Sequence, residues 1–189
     1  MTYRNDAALE FLANRRSHPP KLLKEPAPTR DELLELLTLA TRVPDHGKLE
    51  PWRFVVLERG TLDRLQPILR QAVLDGGQDD AAADKAASAF ASPVIVAVVS
   101  SPVDSPKVPQ WEQFLSAGAV CVSLVNAALA SGWGAAWLTG YAALTPEFGQ
   151  EHLGLTPDEK IVGLIHIGTR DNTPPERPRP DVASKTTWQ

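Results

Sequence analysis

Hydrophobic positions recur at helical spacing in some stretches of the chain and at strand spacing in others. Ala7, Ala8, Phe11 and Leu12 place an apolar face on a helix from Asp6 to Arg15, with Asp6 able to cap it. Thr29-Arg30-Asp31-Glu32 reads as a capping box opening a helix through Leu33, Leu34, Leu36, Leu37 and Ala40 to about Arg42. Trp52 to Leu57 alternates and is rich in β-formers, which predicts a strand. A short helix is expected from Thr61 through Leu62, Leu65, Ile68 and Leu69, ending before Gly76-Gly77. Asp79 to Phe90 is Ala-rich, so it reads as a weakly anchored helix and a candidate flap. The unbroken apolar runs Pro93 to Val99 and Lys160 to Ile167 predict buried strands, and Glu147 to Leu153 a short helix. Proline and glycine mark loops over Lys21 to Pro28, Val43 to Pro51 and Ser100 to Pro109. Pro174, Pro175, Pro178 and Pro180 predict an extended tail, over about residues 170–189.

Gln113 to Pro146 contains no Asp, Glu, Lys, Arg or His. Within it, Trp111 to Ser131 reads as one long helix, with Trp111, Phe114, Leu115, Gly118, Val122, Val125, Ala128 and Leu129 on one face. The opposite face holds only small or weakly polar residues, among them Ser116, Ala117, Cys121 and Asn126. A helix without a polar face is buried all round. In a chain of 189 residues such burial calls for cover from a second subunit, expected on the small-residue face. Gly132 and Gly134 end the helix, and Ala135 to Leu138 reads as a short buried strand. The run is long enough to cross a bilayer, but its small residues, its glycines and the lack of flanking basic clusters argue against a span.

The order is helix, helix, strand, helix, helix, strand, long helix, strand, helix, strand. Two helices precede any strand and no βαβ rhythm follows, which predicts a single α+β domain with helices packed on a mixed or mainly antiparallel sheet. The net charge of −4 gives no footprint for nucleic acid or for an anionic membrane. Cys121 is the only cysteine and lies in the apolar helix, so it reads as a packed small hydrophobe. The stretch from Met1 to Glu10 lacks the apolar core of a signal peptide, and a cytoplasmic location is expected.

Three groups of residues could carry chemistry. Arg15-Arg16-Ser17 follows a helix, and two guanidiniums beside a hydroxyl can hold a phosphate. The C-terminal end of the helix repels an anion, so the arginines must supply the attraction themselves. On pattern alone, solvated charges satisfying the last helical carbonyls are the stronger reading. Arg42 to His46 reads as a polar loop bounding a pocket; the four histidines show no metal spacing, and no metal is expected. Gly132-Trp133-Gly134 resembles the start of a dinucleotide fingerprint but follows a helix and opens a strand, the reverse of what that motif needs. Trp137 reads as core, and Thr139-Gly140 as a strand end where backbone can meet a ligand.

Taken together, a helix ending in RRS, then RVPDHGKLEPWRF, KVPQWEQFLSAGAVCVSLVNAALASGWGAAWLTG and KIVGLIHIG, in that order, resemble the flavin-dependent nitroreductase family and its short bacterial members. The resemblance covers roughly Leu9 to Gly168. It implies an intertwined α+β homodimer with two FMN sites at the subunit interface. Arg15, Arg16 and Ser17 would contact FMN from one chain, with Arg42 and His46 reaching it from the partner. Trp137, Leu138 and Thr139 would lie at the flavin. The stretch Ala127, Ala128, Leu129, Ala130, Ser131 and Gly132 corresponds to one associated with NAD(P)H, and the tail would wrap the partner. The implied activity is ping-pong hydride transfer from NADH or NADPH through FMN to a nitroaromatic, quinone or similar electron-poor acceptor. The flavin carries that chemistry, so no residue is assigned as a catalytic acid or base. Alternatives are another flavin reaction on the same scaffold, or a flavin-free dimeric binding protein. This chain has Pro19, Pro20, Glu50 and Leu138 where many members offer Arg or Lys, Gln, or a basic residue, and Lys21 is the nearest base.

Overall fold

The computed structural model describes residues 3–189, so Met1 and Thr2 of the N-terminal stretch discussed above lie outside it. Its helices are α1 (Asp6–Asn14), α2 (Arg30–Ala40), α3 (Arg59–Asp75), α4 (Asp80–Ala89), α5 (Gln110–Ala130), α6 (Gly140–Leu144) and α7 (Pro146–Leu153). The strands are β1 (Trp52–Leu57), β2 (Val94–Ser100), β3 (Gly134–Leu138) and β4 (Lys160–Gly168), with single 3-10 turns at Pro20–Leu22, His46–Lys48 and Ala183–Lys185.

The four strands form one sheet in the order β1-β2-β4-β3, and every pairing is antiparallel. The sheet is therefore not mixed. Alternation sends Val96, Val98, Ile165 and Ile167 to one face, against α5 and α2. It sends Ile95, Ala97, Val99 and Leu164 to the other, against α3, α4, α6 and α7. All of β2 is buried because it is central and covered on both faces. The architecture is α+β in three layers.

Thr29 caps α2 in the expected capping box, exchanging bonds with the Glu32 backbone and side chain. The cap of α1 differs from expectation: the Asn5 side chain accepts from the Ala8 N–H at 3.1 Å, and Asp6 is already helical, paired with Arg4. Helix α3 starts earlier than Thr61, because Arg59 reaches the carbonyls of Phe90 and Ser92 at 2.8 and 2.5 Å. Helix α4 is not weakly anchored. Ala83 and Ala87 are buried against α3, and Arg70 bonds both Asp80 and Asp84. The short α6 was not expected from the sequence.

Helix α5 is central, as expected, but it is not buried all round: Val120, Leu124, Val125, Ala128 and Leu129 lie in the core with the small residues. Ser116, Ala117 and Cys121 face the sheet, while Trp111 (65% exposed), Leu115 (61%), Phe114 and Val122 face outward. Small side chains are what let the helix approach the strands closely. Burial pushes the Cys121 thiol up to about 12, so it is a packed hydrophobe. The helix has the length and apolarity of a membrane span, yet about half of it is buried in the core. The tail folds back on α1 of its own chain: Arg16 donates to the Pro175 carbonyl at 2.9 Å and Arg179 to that of Ala13 at 2.5 Å.

Candidate functional site

The Arg15 N–H closes the last turn of α1 on the Phe11 carbonyl, and the chain then turns extended. Arg15 donates to Ser17 Oγ at 3.1 Å, while Arg16 is taken up by Pro175 and lies 3.7 Å from Glu176. The Nε atoms of both arginines are buried with no partner among the described residues. A buried N–H donor on a charged group is left unsatisfied only at some cost, and an anion would remove it. Arg15, Arg16 and Ser17 line a cavity of about 430 Å³ together with Arg177 and Arg179 from the tail. Burial first, then repulsion from Arg16 and Arg179, lowers the Arg15 pKa. Glu176, 3.7 Å from Arg16 and 3.1 Å from Arg179, offsets part of the positive charge. Arg177 and Arg179 were missed in the sequence, where ERPRP reads as part of an extended tail; only its return along α1 brings them here.

His18 is buried beside this cradle, with neither ring nitrogen bonded, and lines an adjoining cavity with Arg170. Burial, then Arg170, lowers its pKa and favours the neutral ring. The backbone N–H of His18 donates to the Ala135 carbonyl at 2.9 Å, which ties the RRS segment to the open edge of β3. Strand alternation puts the Trp137 N–H and carbonyl on that same edge. Trp137 is 40% exposed and packs over Gly163, where a Cβ would sit 2.2 Å from the indole nitrogen. Leu138 and Thr139 are also exposed, so the end of β3 is a shelf and not core as expected for Trp137.

Arg42 and His46 lie elsewhere. Arg42 is exposed and its side chain has no bonded partner among the described residues. His46 Nδ1 is 2.8 Å from Glu112 Oε1, at the mouth of a cavity of about 480 Å³. The loop before β1 is fastened by Asp45, which accepts from the Leu49 and Glu50 N–H groups, and by Ser116, which donates to the Pro44 carbonyl. None of the residues lining this cavity lines the arginine cradle. Within one chain the two places are separate cavities. In the stretch 127–132, Ala128 and Leu129 face the core, and the Ser131 and Gly132 N–H groups close the end of α5. Only Ala130, Ser131 and Gly132 are exposed for contact.

Comparison with known proteins gives the class. The nitroreductase family model matches residues 12–169. The chain is 40% identical over 163 residues to "Putative NAD(P)H nitroreductase YdjA" of Escherichia coli (strain K12), spanning 86% of this chain and 87% of that protein. It superposes on the nitroreductase-like family protein from Bacillus cereus with a TM-score of 0.78 and 26% identity, over 100% and 98% of the two chains. A nitroreductase with bound FMN from Bacteroides fragilis shares the fold, at a TM-score of 0.70 and 20% identity over 96% and 97% of the chains. The chain belongs to the nitroreductase family, a family of oxidoreductases.

Proposed function

We propose that this protein is a cytoplasmic, FMN-dependent NAD(P)H oxidoreductase that works as a homodimer and reduces nitroaromatic, quinone or similar electron-poor acceptors. The observation that carries the proposal is the cradle of Arg15, Arg16, Ser17, Arg177 and Arg179, with two buried guanidinium Nε atoms lacking any acceptor. The donor set fits the phosphate tail of FMN. Its donors are charged and several guanidiniums offer paired N–H groups, and four arginines face the single carboxylate of Glu176. Trp137, Leu138 and Thr139, on the strand edge that His18 joins to the cradle, would flank the ring system. Arg42 and His46, remote within one chain, would reach the same flavin from the second chain. Val182 and Trp188, exposed on the far part of the tail, are free to wrap that partner. Bound FMN supplies the chemistry, accepting a hydride from NADH or NADPH and handing the electrons on. The NAD(P)H contact assigned to Ala127 through Gly132 then rests on the exposed Ala130, Ser131 and Gly132 alone.

The test is the visible spectrum of the purified protein with and without added FMN, followed by anaerobic NAD(P)H titration. A yellow protein bleached by NAD(P)H, with parallel double-reciprocal plots when the acceptor is varied, is the expected result. Arg15→Ala with Arg16→Ala should weaken FMN binding by roughly a hundredfold, two charge-assisted contacts at ~1.5 kcal/mol each. A colourless protein that takes up no FMN, or unchanged FMN affinity in that double variant, ends the proposal.

A further inference from the structure

We infer that the cleft between the sheet and the α3–α4 hairpin is a second ligand site, and that it takes a small aromatic carboxylate. The cavity, about 300 Å³, lies on the face of the sheet away from α5 and shares only Leu138 and Thr139, at its β3 end, with the residues assigned above to the flavin. That volume is at the lower end for ligand pockets, enough for a single substituted ring. Leu69 of α3, Phe90, Leu138 of β3 and Leu164 of β4 give it apolar walls. Apolar walls around a space of this volume can take a single aromatic ring.

Two polar groups define what the ring must carry. Lys85 of α4 is exposed at the mouth and makes no side-chain hydrogen bond or ion pair among the described residues. Its acidic neighbours cannot neutralise it: Arg70 holds Asp80 at 2.5 Å and Asp84 at 2.7 Å. No carboxylate lines the cavity, so the free charge there is positive and calls for an anion. His166 of β4 is fully buried; Ser92 Oγ lies 2.9 Å from its Nδ1, and its Nε2 has no partner. Burial pushes the ring down to about 4, so at neutral pH it is an uncharged donor or acceptor suited to a hydroxyl rather than to the carboxylate. The hydroxyl of Tyr141, also lining the cleft, is occupied by the Ala72 carbonyl at 2.8 Å. An apolar cavity with one unpaired cation at its mouth and one unpaired neutral nitrogen in its wall matches an aromatic acid. A ring hydroxyl on that acid would add a bond.

Isothermal titration of the full chain with benzoate, 4-hydroxybenzoate and benzamide, with and without FMN, tests this. Benzoate is expected to bind saturably below about 10 mM, benzamide roughly tenfold more weakly, and 4-hydroxybenzoate more tightly than benzoate. Lys85→Gln, at an exposed position, should bring benzoate down to the benzamide level. Ala86→Leu, which fills the cleft, should abolish binding of all three. The affinities should survive in the FMN-free protein and in the Arg15→Ala, Arg16→Ala variant. No heat at about 10 mM benzoate, benzoate affinity unchanged by Lys85→Gln, or binding lost in the double arginine variant would each overturn the proposal. The last outcome would place the carboxylate in the arginine cradle instead.

Discussion

Glu159 shows how a single residue ties the sheet to its edge. It is 7% exposed, and its two oxygens accept from Arg53 Nε and Nη2 at 2.6 and 2.7 Å. It also takes the Thr156 N–H, and Arg53 donates onward to the Gly154 carbonyl, so β1 is fastened to the turn before β4. Hydrogen bonding from Arg53, the largest influence, outweighs the opposing effect of burial and holds the Glu159 carboxyl down to about 2, against an ordinary 4.5. A depressed carboxylate stabilises the fold fully above the unfolded value and loses that contribution as the pH falls from 4.5 through about 2. His166 acts in the next window up. Its buried neutral ring is also depressed, from 6.5 to about 4, so stability falls as the pH drops across that range and the unfolded state takes up the proton first. Urea midpoints should therefore fall in two overlapping stages on acidification. Glu159→Gln should destabilise by about 1–3 kcal/mol at pH 7, and its difference from the natural chain should nearly vanish at pH about 2. A constant difference across that range would show that the carboxylate charge is not what matters.

At the scale of elements, most of the fold was legible and one orientation was not. Local chemistry fixed α2 and β1, because a capping box and a period of two belong to neighbouring residues. Periodicity finds the faces of a helix by contrast between apolar and polar positions. In α5 neither face is polar, so the pattern gave the helix and its burial but not which side meets the sheet. Packing decides it: Ala117, Val120, Cys121, Leu124 and Val125 pack in the core beneath the helix, and Trp111, Phe114, Leu115 and Val122 are left outside. The exposed large-residue stripe, in place of the small-residue face expected from the sequence, is therefore the surface we propose for a second subunit. Two variants separate the faces. Ala117→Leu overpacks the sheet side and should cost about 1–3 kcal/mol in the unfolding of the chain itself. Leu115→Glu touches an exposed position, so it should change single-chain stability by no more than about 0.5 kcal/mol while dissociating the proposed dimer, read by light scattering. If Leu115→Glu left an intact dimer, the stripe would not be the contact surface.

On the scale of the whole molecule, the candidate site is divided in a way sequence proximity could not show. Arg15, Arg16 and Ser17 are neighbours in the chain and were found together; Arg177 and Arg179 join them only through the fold of the tail, while Arg42 and His46 stay apart from them within the chain. A site assembled from halves on two chains has a thermodynamic consequence. If FMN contacts both, it binds the dimer better than the monomer, and by linkage it must tighten dimerisation by the same factor. Diluting the flavin-free protein should populate monomer, and adding FMN should restore the dimer, followed by sedimentation velocity. Conversely, FMN affinity should weaken as the protein is diluted through its dimer dissociation constant. Leu115→Glu, which spares the arginine cradle, should lower FMN affinity to that of the monomer and no further. Arg15→Ala should weaken FMN binding and abolish the effect of FMN on assembly while leaving the flavin-free dimer unchanged. A flavin that binds the isolated monomer as tightly as the dimer would place the whole cofactor on one chain, and Arg42 and His46 would then have no part in holding it.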